Sequence, residues 1–113
     1  MNADMNKSNI VRAIGVPAMI EQLAEEALEL GHPCVKLARL LRGENKVYGY
    51  SEEQLLRSIE EEIADIFVVF MELNAVGVID GGNVTCITLS KLDRWKKRLE
   101  EEKGGGESVK TDT

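Results

Sequence analysis

Glu26 and Glu29 stand three residues apart, and so do Glu62 and Asp65. On a helix such neighbours share a face, so each pair offers two carboxylates side by side. The surrounding residues place both pairs against a core-facing stripe. With Ile59 at 0° on a 3.6-residue wheel, Ile63, Ile66, Phe70 and Leu73 fall within about 40° of it. Glu62 then lands at about 300°, between Val69 and Leu73, and Asp65 lies just beyond that edge. With Leu23 at 0°, the residues Ala27, Leu30, Leu37 and Leu41 lie within about 40°, Glu26 at about 300° and Glu29 at about 240°. An acid inside an apolar arc must be paired, protonated or metal-bound. Four carboxylates brought together also repel and raise one another's pKa values. An oxygen-coordinated divalent cation relieves both problems, and an all-oxygen set favours Mg2+ or Mn2+ over zinc. Glu60, Glu61, Glu100, Glu101 and Glu102 read instead as ordinary solvated faces of acidic helices.

The elements that must hold these acids are helices. Residues 1–7 are polar and read as loose; Ser8 suits the cap of a short helix from Asn9 to Ile14, which Gly15 stops. Pro17 suits a first helical position, and an apolar stripe from Ile20 to Leu41 follows it at 3-4 spacing. That predicts one helix over 17–42, kinked at Pro33, with a break into two as the alternative. Gly43 to Tyr50 reads as a loop. Ser51 and Gln54 form a capping box, opening a helix to about Val76 with Gly77 as its left-handed stop. Asp80-Gly81-Gly82-Asn83 reads as a turn, and a last helix is predicted over 84–103, with residues 104–113 as a disordered tail. No strand pattern competes. The expected fold is all-α, an antiparallel bundle of about four helices forming a single domain over 1–103. Phe67, Val68 and Met71 form a second apolar stripe, at about 80° to 180° from Ile59. One small bundle cannot easily bury both stripes, so a homo-oligomer, dimer or tetramer, is expected.

The whole chain narrows the function classes. It has 113 residues, enough for one modest core, and a net charge of −6, which speaks against a general nucleic-acid surface. A small phosphorylated substrate is compatible, because a bound divalent cation reverses the local sign. One histidine and two isolated cysteines, Cys34 and Cys86, cannot build a structural zinc site, and unpatterned thiols fit a reducing cytosol. No signal peptide or membrane-spanning run is visible, so a cytoplasmic protein with no membrane partner is expected. No P-loop is present; the Gly104 run follows a helix instead of opening one.

Glu25-Glu26-Ala27-Leu28-Glu29 followed by Glu62-Ile63-Ala64-Asp65 resembles the E-E-x-x-E … E-x-x-D signature of MazG-like nucleoside triphosphate pyrophosphohydrolases, in the all-α NTP pyrophosphatase superfamily. Leu40-Leu41-Arg42-Gly43 closing the first long helix fits that likeness. So does Lys91-Leu92-Asp93-Arg94-Trp95, similar to the basic last helix of small phage and prophage members. The likeness covers roughly residues 12 to 99. It departs from the family in the 32 residues between Glu29 and Glu62, a long connection, and in Gly31-His32-Pro33 within the helix. The resemblance implies that Glu26, Glu29, Glu62 and Asp65 hold Mg2+. It further implies cleavage of a nucleotide between its α- and β-phosphates, giving a monophosphate and pyrophosphate. Either Glu25 or Glu29 would be the base that activates water. Lys36, Lys91 and Arg94 are candidate phosphate ligands, with a solvated surface role as the plainer reading of each. Tyr48, Tyr50 and Trp95 are candidate base-stacking residues, with core or loop packing as the plainer reading.

Two rival readings stand beside this one. Glu29-Leu30-Gly31-His32 is an E-x-x-H, the unit of di-iron carboxylate bundles, which a symmetric dimer would supply twice. A non-enzymatic helical interaction module, its acids solvated, is the other.

Overall fold

The computed structural model describes residues 10–44 and 49–104. All regular structure in them is helical, with no strand: α1 over 10–14, α2 Val16–Arg42, α3 Glu52–Ala75 and α4 Gly81–Gly104. The expected cap at Ser8, the loose residues 1–7, Tyr48 and the tail beyond Gly104 lie outside the described residues. The chain divides into two compact units, residues 1–79 and 80–113.

In the first unit, α1 ends where the Gly15 N–H donates to the Val11 carbonyl at 2.6 Å. Helix α2 opens at Val16, one residue before Pro17, and runs through Pro33 to Arg42 without a break. An interior proline costs a helix about 3 kcal/mol. Most helical stability in a protein comes from burying the apolar face, however, and Pro33 is itself buried on that face. Gly43 closes the helix at φ 71°, a conformation that burdens any residue with a Cβ. Its N–H reaches the Leu40 carbonyl and that of Glu44 reaches the Arg39 carbonyl, both at 3.1 Å.

Helix α3 opens on the expected capping box. The Gln54 N–H donates to Ser51 Oγ at 3.1 Å, and the Ser51 N–H donates to Gln54 Oε1 at 2.8 Å. It ends at Ala75, and Gly77 takes the left-handed conformation at φ 82°. That turn lets the Val78 N–H return to the Leu73 carbonyl at 3.0 Å.

Helices α2 and α3 pack together antiparallel. At one end Val11, Met19, Val69 and Leu73 form a buried cluster, with Val16, Leu23, Val76 and Ile79 against it. Towards the other end Leu37 and Leu55 are buried. The acidic pairs fall between these two apolar patches. Phe67, Val68 and Met71, on the other side of α3, are 61%, 53% and 50% exposed. Within the described residues of the first unit nothing covers the second stripe.

In the second unit, α4 starts at Gly81, three residues earlier than expected. The Asp80-Gly81-Gly82-Asn83 segment is a helix start and not a free turn. The Asn83 N–H donates to Asp80 Oδ1 at 3.1 Å and the Val84 N–H to the Asp80 carbonyl at 3.0 Å, so Asp80 caps the helix. That cap outweighs the weak helix propensity of Val84, Thr85 and Thr88. The helix is exposed along its length beyond Gly81.

Candidate functional site

Antiparallel packing sets residues 26–36 of α2 against residues 55–65 of α3 in reverse order. Carboxylate oxygens of Glu26, Glu62 and Asp65 lie within 4.8 Å of one another, close enough to share one cation. Glu26 and Glu62 are half-buried and Asp65 is exposed, the order their wheel angles give. Glu26 is held in place by Gln22, whose Nε2 donates to Glu26 Oε2 at 2.6 Å. Gln22 was not among the residues singled out in the sequence; its position four before Glu26 on the same face is the signal that marks it.

The electrostatics of the group follow from this placement. The carboxyl of Glu62 is pushed above its ordinary value of 4.5, first by partial removal from water. The charges of Glu29, Asp65, Glu26 and Glu61 push it further in the same direction. Among the described residues no hydrogen bond or ion pair to Glu62 offsets this. A cation bound here would.

Glu29 is not one of the three clustered acids. It lines a shallow cleft of about 260 Å3 that continues from Glu62, walled by His32, Pro33, Lys36, Tyr50, Leu55 and Ser58. Lys36 lies at the far end of this cleft from Glu29, with its Nζ 4.5 Å from the centroid of the Tyr50 ring. Ser58 joins the cleft because it stands four residues before Glu62 on the same face of α3, a spacing that marks it in the sequence. Glu25 is exposed and belongs neither to the acidic cluster nor to the cleft. Lys91 and Arg94 are on α4, where they line a shallow concavity of about 190 Å3 with Trp95 and Arg98. His32 shares the cleft with Glu29 and Glu62 but is outside the three-carboxylate group.

The acids set aside as solvated behave as such. Arg57 Nε donates to Glu60 Oε1 at 2.8 Å and Nη2 to Oε2 at 3.1 Å on an open face, and Glu100, Glu101 and Glu102 are exposed. Glu72 is different: it is 7% exposed, at the core end of α3, and its Oε1 has no hydrogen-bond partner. No spacing signal distinguished it from the other acids of α3.

No family model, curated protein or solved structure matches the chain. Among the described residues no helix is long and apolar enough to cross a membrane.

Proposed function

We propose that this protein is a MazG-like, Mg2+-dependent nucleoside triphosphate pyrophosphohydrolase that converts a (d)NTP to its monophosphate and pyrophosphate. The observation that carries this reading is the meeting of Glu26 with Glu62 and Asp65 within 4.8 Å, from two helices far apart in sequence. All three donors are carboxylates, so the set suits Mg2+, with Mn2+ as the alternative. When bound, a divalent cation neutralises phosphate charge and lowers the pKa of a nearby water.

The chain's own residues then have distinct tasks. Glu26, Glu62 and Asp65 hold the cation, and Gln22 orients Glu26. Glu29, beside Glu62 and lining the cleft, is the base; Glu25, outside both groups, is the weaker candidate. The water oxygen bonds to the α-phosphorus while the bond to the α–β bridging oxygen breaks. Pyrophosphate leaves with that electron pair, and a proton of the water passes to the Glu29 carboxylate. Lys36 engages phosphate from the cleft; Lys91 and Arg94, which line a concavity of their own on α4, are further candidate phosphate ligands. Residues 80–113 hold seven acids and seven bases, so the net charge of −6 resides entirely in residues 1–79. A polyphosphate reaches such a surface only with cations to screen it.

The working form is a homo-oligomer that covers the Phe67 stripe. Two exposed free cysteines suit a cytoplasmic setting. The uncovered apolar residues also favour a second reading, a helical interaction module without catalysis.

A screen of canonical and modified nucleoside triphosphates with Mg2+, reading both products, separates the two readings. Monophosphate and pyrophosphate are expected from at least one substrate. Glu62→Ala and Asp65→Ala should each abolish turnover. Orthophosphate with a diphosphate would refute the assigned bond, and no hydrolysis of any nucleotide would leave the interaction module.

A further inference from the structure

We propose that Tyr50 is a positioning residue: its ring holds the Lys36 ammonium at the end of the cleft, where Lys36 binds the terminal phosphates and the departing pyrophosphate. This rests on the pyrophosphohydrolase reading and adds to it a direction for the substrate. The cleft leads from the acidic cluster past Glu29 and Glu62, over Pro33 and Ser58, to Lys36, Tyr50 and Leu55. Lys36 stands seven positions after Glu29 on α2, a rise of about 10 Å. A cation site therefore stands at one end of the cleft and a single ammonium at the other. Between them His32 and Ser58 add groups able to donate hydrogen bonds. That arrangement suits a run of phosphates, with the nucleoside leaving the cluster in the opposite direction.

Lys36 needs something to hold it there. Its stem is flexible, and an ammonium sharing a cleft with two carboxylates, Glu29 and Glu62, can swing toward them. Glu29 and Glu62 line the same cleft, yet among the described residues no carboxylate oxygen lies within 4.0 Å of Lys36 Nζ. Its partner is the Tyr50 ring face, at 4.5 Å. A ring attracts the ammonium without neutralising it, so Lys36 keeps its charge for phosphate and the acids keep theirs for the cation. Tyr50 directly precedes Ser51, whose capping box sets the start of α3 and so places the backbone that carries the ring.

The test uses the full chain and inorganic pyrophosphate in excess Mg2+, with binding followed by calorimetry. Lys36→Met should weaken pyrophosphate binding about tenfold or more. Tyr50→Leu should weaken it about threefold or more, and Tyr50→Phe, which keeps the ring, should restore it. If Tyr50 acts through Lys36, the double variant binds no more weakly than Lys36→Met alone. Affinity for a nucleoside monophosphate should be unchanged in all four. Both side chains reach solvent, so the folds survive and the readout is interpretable. Additive losses, a Tyr50→Phe variant as weak as Tyr50→Leu, wild-type pyrophosphate affinity in all variants, or a loss confined to the monophosphate would each overturn the proposal. So would a wild-type chain that binds no pyrophosphate. Turnover by a wild type whose variants still bind pyrophosphate normally would reject this inference and keep the hydrolase. Pyrophosphate binding through Lys36 and Tyr50 in a chain that hydrolyses nothing would do the reverse.

Discussion

The Glu62 carboxyl stands half out of water between two helices, with Glu29, Asp65, Glu26 and Glu61 as its charged neighbours. Its folded-state pKa is raised, so between the ordinary value of 4.5 and that raised value the folded chain binds a proton which the unfolded chain has lost. Metal-free stability therefore falls as pH rises through that window, and the deficit persists above it. Glu62→Gln removes the charge and keeps the shape. In chelator at neutral pH the variant should melt at or above the wild-type temperature. The gap should close as pH falls to the ordinary carboxylate range, and parallel melting curves across pH would contradict the placement. Mg2+ at 100 times its dissociation constant should stabilise the wild type by about 2.7 kcal/mol and the variant much less.

At the scale of the element, α3 does two jobs. Its N-terminal half carries Leu55, Ser58 and Glu62 into the cleft, and its C-terminal half carries Val69 and Leu73 into the core. Both depend on where the helix begins, and the Ser51–Gln54 box sets that point. Ser51→Ala loses one of its two hydrogen bonds outright. The expected cost is about 1 kcal/mol, read as a fall in Tm of roughly 4 to 8 °C in a domain of this size. Because the same box places the backbone beside Tyr50, the Tyr50 reading expects pyrophosphate affinity to fall with it. Unchanged melting in Ser51→Ala would show that packing alone sets the start of α3. Surface ion pairs such as Lys97–Asp93, at 3.2 Å and largely exposed, are worth little by comparison.

At the scale of the whole molecule, the question is what covers the exposed apolar side chains of the first unit. Phe67, Val68 and Met71 form one uncovered stripe, and Leu28 on α2 is 74% exposed. The proposed homo-oligomer would bury the Phe67 stripe, since exposed apolar stripes of this kind favour association. Light scattering at micromolar concentration is expected to show a dimer or tetramer. Phe67→Glu should reduce it to the monomer while leaving helix content unchanged. A folded wild-type monomer would refute the assembly.

The helices were legible because each has a local signal. Ser51 and Gln54 announce α3, Gly43 and Gly77 end α2 and α3, and the 3.6-residue stripes name the faces that turn inward. The wheel also put Glu26 and Glu62 on the rim of the apolar arc, where both are half-buried. Other features depend on long-range packing, which no local spacing encodes. Pro33 does not break α2, because its ring is buried on the face that packs. Asp80 begins a helix because its side chain turns back to the Asn83 N–H, a choice that turn chemistry leaves open. The antiparallel alignment of α2 with α3 decided which acids meet. It gathered Glu26, Glu62 and Asp65, left Glu29 along the cleft and Glu25 outside, and brought Tyr50 beneath the ammonium of Lys36. Residue types and spacing fix which groups a helix offers on one face. Only the register between two helices fixes which groups come within reach of one ion.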